Sequence, residues 1–100
     1  MAVLLDNVTN NAIGTALDCT GKEQALFFIE GDFDAEITFE ASIDGSVFFS
    51  YAGALGASDT KTSRVKAPGY VVFNVRPITA IRPVVVNYKR GSVTVSGYAE

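Results

Sequence analysis

From Ala35 to Ile43 every second residue is apolar: Ala35, Ile37, Phe39, Ala41 and Ile43 alternate with Glu36, Thr38, Glu40 and Ser42. A period of two predicts a strand with one buried and one solvated face. Asp44-Gly45 follows, a short-range hairpin signal, and the chain resumes as Val47-Phe48-Phe49-Ser50-Tyr51. Turn residues then recur at intervals of ~8 to 12 residues, the spacing of a sandwich or barrel. Strands are predicted at Ala2 to Leu5, Ala12 to Leu17, Glu23 to Glu30, Ala35 to Ile43, Val47 to Tyr51, Thr60 to Val65, Tyr70 to Val75, Ile81 to Tyr88 and Ser92 to Ala99. Gly21-Lys22, Gly31-Asp32, Gly53 to Ser58, Pro68-Gly69, Arg76-Pro77 and Arg90-Gly91 separate them, through Gly at positive φ or Pro at fixed φ.

Register at Asp44-Gly45 follows from the same pattern, because a slip of one residue turns every side chain to the other face. A two-residue loop would put Val47, Phe49 and Tyr51 on the polar side. A three-residue loop, Ile43-Asp44-Gly45 with Gly45 left-handed, pairs Ala41 with Val47, Phe39 with Phe49 and Ile37 with Tyr51. Phe48 then points outward, across from Glu40, either as an ordinary exposed apolar residue or as an anchor.

Several strands are apolar on both faces. Leu26 and Phe28 oppose Ala25, Phe27 and Ile29; Tyr70 and Val72 oppose Val71, Phe73 and Val75; Val84, Val86 and Tyr88 oppose Ile81, Pro83 and Val85. Either the N-terminal segment or the Gly53 to Ser58 loop lies across the second face, or another subunit covers it. Pro77 and Pro83 cannot donate to a ladder, which predicts that their strand is an edge or is bulged.

The 100 residues suit one domain, and 48% of them are hydrophobic against 19% charged, an apolar load that again suggests contact with another chain. Net charge is −3, so no basic field exists to bind nucleic acid. Lys61, Arg64, Lys66, Arg76, Arg82, Lys89 and Arg90 fall in the second half while acids dominate the first, which suits either contacts between copies or ordinary surface charge. The opening Met1-Ala2-Val3-Leu4-Leu5-Asp6 has no basic n-region and too short an apolar run for a signal peptide or membrane span.

Candidate chemistry is sparse. With no histidine and one cysteine, the chain has no triad base, internal disulfide or cysteine zinc cage, and Cys19 reads as a buried thiol. Glu36 and Glu40 could pair as glycosidase carboxylates but read as a solvated face. Asp32, Asp34 and Glu36 could offer oxygens to calcium but read as an acidic turn. Tyr51, Tyr70, Tyr88 and Tyr98 could stack on sugars, Tyr51 already being claimed by the core. No enzyme activity, cofactor or metal is expected.

Two segments carry a resemblance: Phe39-Glu40-Ala41-Ser42-Ile43-Asp44-Gly45-Ser46-Val47-Phe48, and Pro83 through Tyr98 with its Val86-Asn87-Tyr88-Lys89-Arg90-Gly91-Ser92-Val93-Thr94-Val95-Ser96-Gly97 pattern. Together they resemble small β-sandwich proteins of tailed bacteriophages, in which an A-S-x-D-G hairpin precedes a closing hairpin. Such domains serve as head decoration proteins, head fibres and tail components. The resemblance implies an all-β, jelly-roll-like antiparallel β-sandwich of about eight or nine strands, with residues 1–11 as an N-terminal arm or edge strand and 12–100 as a single sandwich domain. It implies a structural virion protein assembled in the host cytoplasm, expected to be a capsid decoration protein that binds the major capsid protein or another virion protein and self-associates as a homotrimer, without nucleic acid or membrane. A carbohydrate-binding module of a tail or fibre is the alternative. Ala2, Val3, Leu4, Leu5 and Phe48 are the expected partner contacts, and removing residues 1–10 is expected to abolish binding while leaving the sandwich folded.

Overall fold

Alternating burial organises the chain into strands whose inward residues meet in one core. The structure, a computed structural model, describes residues 2–56, 61, 62 and 64–100. Their strands are β1 (Ala2–Val8), β2 (Ala12–Ile13), β3 (Leu17–Asp18), β4 (Gln24–Glu30), β5 (Phe33–Ser42), β6 (Phe49–Ser50), β7 (Gly53–Leu55), β8 (Lys61–Thr62), β9 (Arg64–Val65), β10 (Gly69–Asn74), β11 (Ala80–Gly91) and β12 (Val93–Ala99). They form an antiparallel sandwich. The first sheet runs β1-β12-β4-β10-β7-β8 and the second β2-β11-β5-β6, with β3 also on β11 and β9 also on β5. No helix among the described residues is long and apolar enough to cross a membrane.

There are more segments than the sequence pattern suggests. The strand expected at Ala12 to Leu17 is broken into β2 and β3, and the one expected at Thr60 to Val65 contributes β8 to the first sheet and β9 to the second. Gly53–Leu55, expected as loop, is the strand β7. Met1, Ala57, Ser58, Thr60 and Ser63, which belong to expected elements, lie outside the described residues.

The core centres on three rings from three strands. Phe27 of β4, Phe39 of β5 and Phe73 of β10 are fully buried, with centroids 5.0 to 5.4 Å apart in tilted and edge-on contacts. Tyr51 stacks on Phe73 and donates its hydroxyl to the Asn74 carbonyl at 2.7 Å, so its apolar body is inside and its polar tip is satisfied.

The two sheets are joined by paired corners. β4 leads into β5 through Gly31-Asp32, and β11 into β12 through Gly91-Ser92; each connection passes from one sheet to the other. The corners lie side by side, with Ser92 N–H donating to the Asp32 carbonyl at 3.1 Å. Gly31 and Gly91 have φ of 122° and 88°, and a Cβ on either would collide with backbone across the gap, Ser92 O for Gly31 and Asp32 O for Gly91. The closing hairpin expected at Arg90-Gly91 is therefore an arch. β11 and β12 place Ile81 and Val85 opposite Val93 and Val95 across the core, because each strand has its own apolar face to bury.

The hairpin after β5 has the expected parity but a shifted register. Ala41 pairs with Phe49 and Glu40 with Ser50, while Tyr51 N–H reaches the Phe39 carbonyl at 3.0 Å. Ile37 pairs with Val65 of β9 instead of Tyr51. Ser42 and Asp44 widen the loop. Ser42 Oγ accepts from the backbone of Asp44 and Gly45, and Asp44 Oδ1 accepts from that of Ser46 and Val47. Ile43, Val47 and Phe49, expected inside, are 60%, 67% and 41% exposed as a result. Gly45 is left-handed, as expected, with φ 82°.

Pro83 is tolerated for a reason other than an edge position. β11 lies between β5 and the β2–β3 segments. Pro83 sits opposite Phe39, and its carbonyl accepts from Gly14 N–H in the gap between β2 and β3, at 2.8 Å. Because the N and O of one strand residue point to the same side, the missing N–H faces that gap, where no ladder bond is lost.

Two register slips shape β1. Val3 pairs with Ser96 but Leu5 with Val95, so Leu4 is the extra residue and both leucines turn into the core. Removing residues 1–10 would therefore take two core side chains and the ladder partner of β12. That placement runs against the expectation that such a deletion leaves the sandwich folded.

Candidate functional site

The two outer faces of the sandwich differ in chemistry. On the second sheet, acids of β5 meet cations from β9, β11 and the segment after β9. Glu36 pairs with Arg64 and, at 3.6 Å, with Lys66, and Asn87 also donates to it. Glu40 pairs with its cross-strand neighbour Arg82 at 2.8 Å. The Asn87 hydrogen bond is the main cause that holds the Glu36 carboxyl below its usual range, with Arg64 and Lys66 adding to it. Elsewhere Arg76 reaches Glu23 and Arg90 reaches Asp32, at 3.4 and 3.8 Å. Five cations of the second half thus pair with acids of the first within one chain. Glu36 and Glu40 hold cations, and Asp32 has a basic partner of its own in Arg90.

On the first sheet the middle of the outer face is apolar. Three neighbouring strands set residues in rows: Ser96, Phe28 and Tyr70 form one row, and Tyr98, Leu26 and Val72 the next. Val3 extends the first row through its pairing with Ser96, and Ala54 extends the second through Val72. Phe28, Tyr70, Tyr98 and Val3 are 40%, 37%, 52% and 57% exposed, while Leu26 and Val72 are half-buried. β1 and β7 continue the sheet in its own plane and do not fold over this face. That answers the question posed by the two-sided strands: neither the N-terminal segment nor the described part of the Gly53 loop lies across the second face.

The expected contact residues divide. Ala2 and Val3 are exposed on β1, whereas Leu4 and Leu5 belong to the chain's own core. Phe48 points to the outer side of the second sheet and is half-buried, because the Arg82 guanidinium lies 3.8 Å from its ring centroid while gripping Glu40. Beside it is an open cleft of about 490 Å³, lined in part by Asp18, Thr20, Asp44 and Thr79. Backbone N–H groups hold both acids below the usual carboxylate range: chiefly Thr20 on Asp18, and Val47 then Ser46 on Asp44. They are charged caps for their own loops at neutral pH.

The tyrosines also divide. Tyr70 and Tyr98 share the apolar face, whereas Tyr51 and Tyr88 pack against the core and donate their hydroxyls to backbone carbonyls. Phe28 is the residue that reading for tyrosines passes over. Its alternation with Phe27 and Ile29 was the available signal.

The chain matches no family model and no curated relative. Among solved structures, the SPBc2 prophage-derived protein YomS superposes with a TM-score of 0.85 over 97% of this chain and 88% of that one, at 18% identity. The two share one fold.

Cys19 contributes nothing to these surfaces. It is fully buried, its thiol donates weakly to the Leu17 carbonyl at 3.5 Å, and burial, with the Asp18 charge, pushes its pKa up to about 11. A thiol-specific reagent at pH 8 is expected to leave the native protein unlabelled and to label it stoichiometrically in denaturant. Rapid labelling without denaturant would contradict the buried placement.

Proposed function

We propose that this chain is a structural, non-catalytic subunit of a tailed-phage particle, a capsid decoration protein that binds the shell. The observation that carries the reading is the uncovered apolar face of the first sheet, a surface suited to being covered in an assembly. The shared fold with a prophage-derived protein supports it. Its partner is the major capsid protein or another shell component, and its exposed Ala2 and Val3, with Phe48 at the far sheet, are the contacts assigned to that lattice. Attachment works by mass action: a subunit present at a hundred times its dissociation constant stabilises each occupied site by about 2.7 kcal/mol. Mixed with empty heads of the phage that encodes it, the purified chain is expected to pellet with them saturably and to raise the temperature at which they dissociate. Heads that sediment without the chain, and melt unchanged, would defeat the proposal.

One observation favours a second reading. Phe28 and Tyr70 are direct cross-strand neighbours and Tyr98 stands one strand over, a flat run of rings of the kind on which sugars stack. Glycan binding lost on Tyr70→Ala or Tyr98→Ala, in a chain indifferent to heads, would move the assignment to a carbohydrate-binding module of a tail or fibre.

A further inference from the structure

We infer that the outer face of the first sheet is covered by a second copy of the same chain, packed face to face about a twofold axis that lies between the sheets and runs across the strands. The inference rests on the reading of this face as an assembly surface and names its occupant.

Area is the first argument. Phe28, Tyr70 and Tyr98, with the exposed parts of Leu26 and Val72, make a contiguous patch, which Val3 only borders at the β1 edge. Together with the flanking Gln24, Asn74, Thr94 and Ser96, two such patches in contact remove on the order of 1,000 Å² from water, the lower bound for a specific interface. The patch is a flat sheet surface, and stacked sheets pack about 10 Å apart, the same geometry that already closes the interior of this sandwich.

Complementarity of the two ends is the second argument, and it selects the partner. The row beyond Phe28 holds Glu30 beside Thr94, and the row beyond Leu26 holds Gln24 between Glu100 and Asn74. The carboxylates Glu30 and Glu100 therefore stand at opposite ends of the patch, with Lys61 paired to Ala54 at its β8 edge and Arg76 beside Gln24 and Asn74. A twofold axis across the strands lays each end on the other. Glu30 of one copy then faces the Gln24 amide of its partner, Glu100 faces the Thr94 hydroxyl, and at the centre Phe28 faces Leu26, Tyr70 faces Val72 and Tyr98 faces Ser96. An axis along the strands would set Glu30 against Glu30, with like charges opposed. One self-complementary patch also generates a closed pair, whereas a threefold ring needs two different patches that fit each other.

Sedimentation equilibrium of the full chain between about 1 µM and 1 mM tests this. The weight-average mass is expected to rise with concentration from one chain to two and stop there. Phe28→Lys, its fold checked by circular dichroism and an unchanged melting temperature at low concentration, is expected to weaken the pair at least a hundredfold. Gln24→Glu is expected to weaken it roughly tenfold by facing Glu30 with a second acid. Adding Glu30→Lys to that variant is expected to restore it. A chain that stays single at 1 mM, an oligomer indifferent to Phe28→Lys, or a double variant without rescue each overturns the inference. Pelleting with heads is measured separately: heads that bind a chain which never pairs leave the shell reading standing without this one, and a pair that ignores heads does the reverse.

Discussion

Replacing Phe27 with alanine is expected to destabilise the sandwich by about 3–5 kcal/mol, the range for removing a buried aromatic ring from a packed core. Phe27 touches both Phe39 and Phe73, and the three rings come from strands of both sheets, so the cavity opens where the sheets meet. A domain of this length has on the order of 5–15 kcal/mol in total. The loss lowers the melting temperature by roughly 4–8 °C per kcal/mol, and thermal melts followed by circular dichroism will read it directly. Phe28→Ala, one residue along but on the outer face, should change stability by less than about 1 kcal/mol in dilute solution, since a half-exposed ring with open space above it leaves no cavity. Similar losses for the two variants would mean that the inside and outside of β4 are misassigned.

Gly91→Ala has the second largest expected effect. The position combines a left-handed φ of 88° with a Cβ direction that runs into the Asp32 carbonyl and the Phe33 backbone of the adjacent corner. The backbone conformation alone costs a non-glycine residue about 1–2 kcal/mol. Relief of the collision requires the two corners to separate, which strains the Ser92–Asp32 hydrogen bond and the start of the long β5–β11 ladder. A total of about 3 kcal/mol or more is expected, measured as a shift of the urea midpoint at unchanged slope. Gly21→Ala supplies the comparison. Its φ is 73°, but nothing lies within 4 Å of the added carbon, so only the conformational part should be lost. Equal losses at Gly91 and Gly21 would show that the corners can part freely.

The strands and their inward faces were largely legible in the sequence. Ala35, Ile37, Phe39 and Ala41 are buried on β5 as their alternation predicts, and Phe27, Ile29, Val71 and Phe73 follow the same rule on β4 and β10. Failures came where side chains override the period of two. Ser42 and Asp44 bind four backbone N–H groups between them and so lengthen the loop, moving Phe49 to Ala41 and leaving Ile43 and Val47 outside. The bulge at Leu4 puts two consecutive residues inside, a pattern that strict alternation cannot express.

By itself, then, the sequence determined an all-β chain, the approximate span of most strands, and which side of each strand is greasy. These are local properties, encoded within a few residues by the pleat. Only the tertiary structure decided which strands are neighbours: that β12 enters the first sheet beside β4 while β11 enters the second beside β5, that acids of the first half meet cations of the second, and that Phe28, Tyr70 and Tyr98 from three separate strands share one open face. Pairing between residues tens of positions apart depends on the summed burial of whole sheets and on two glycine corners that fit only side by side. No short window of sequence contains either quantity.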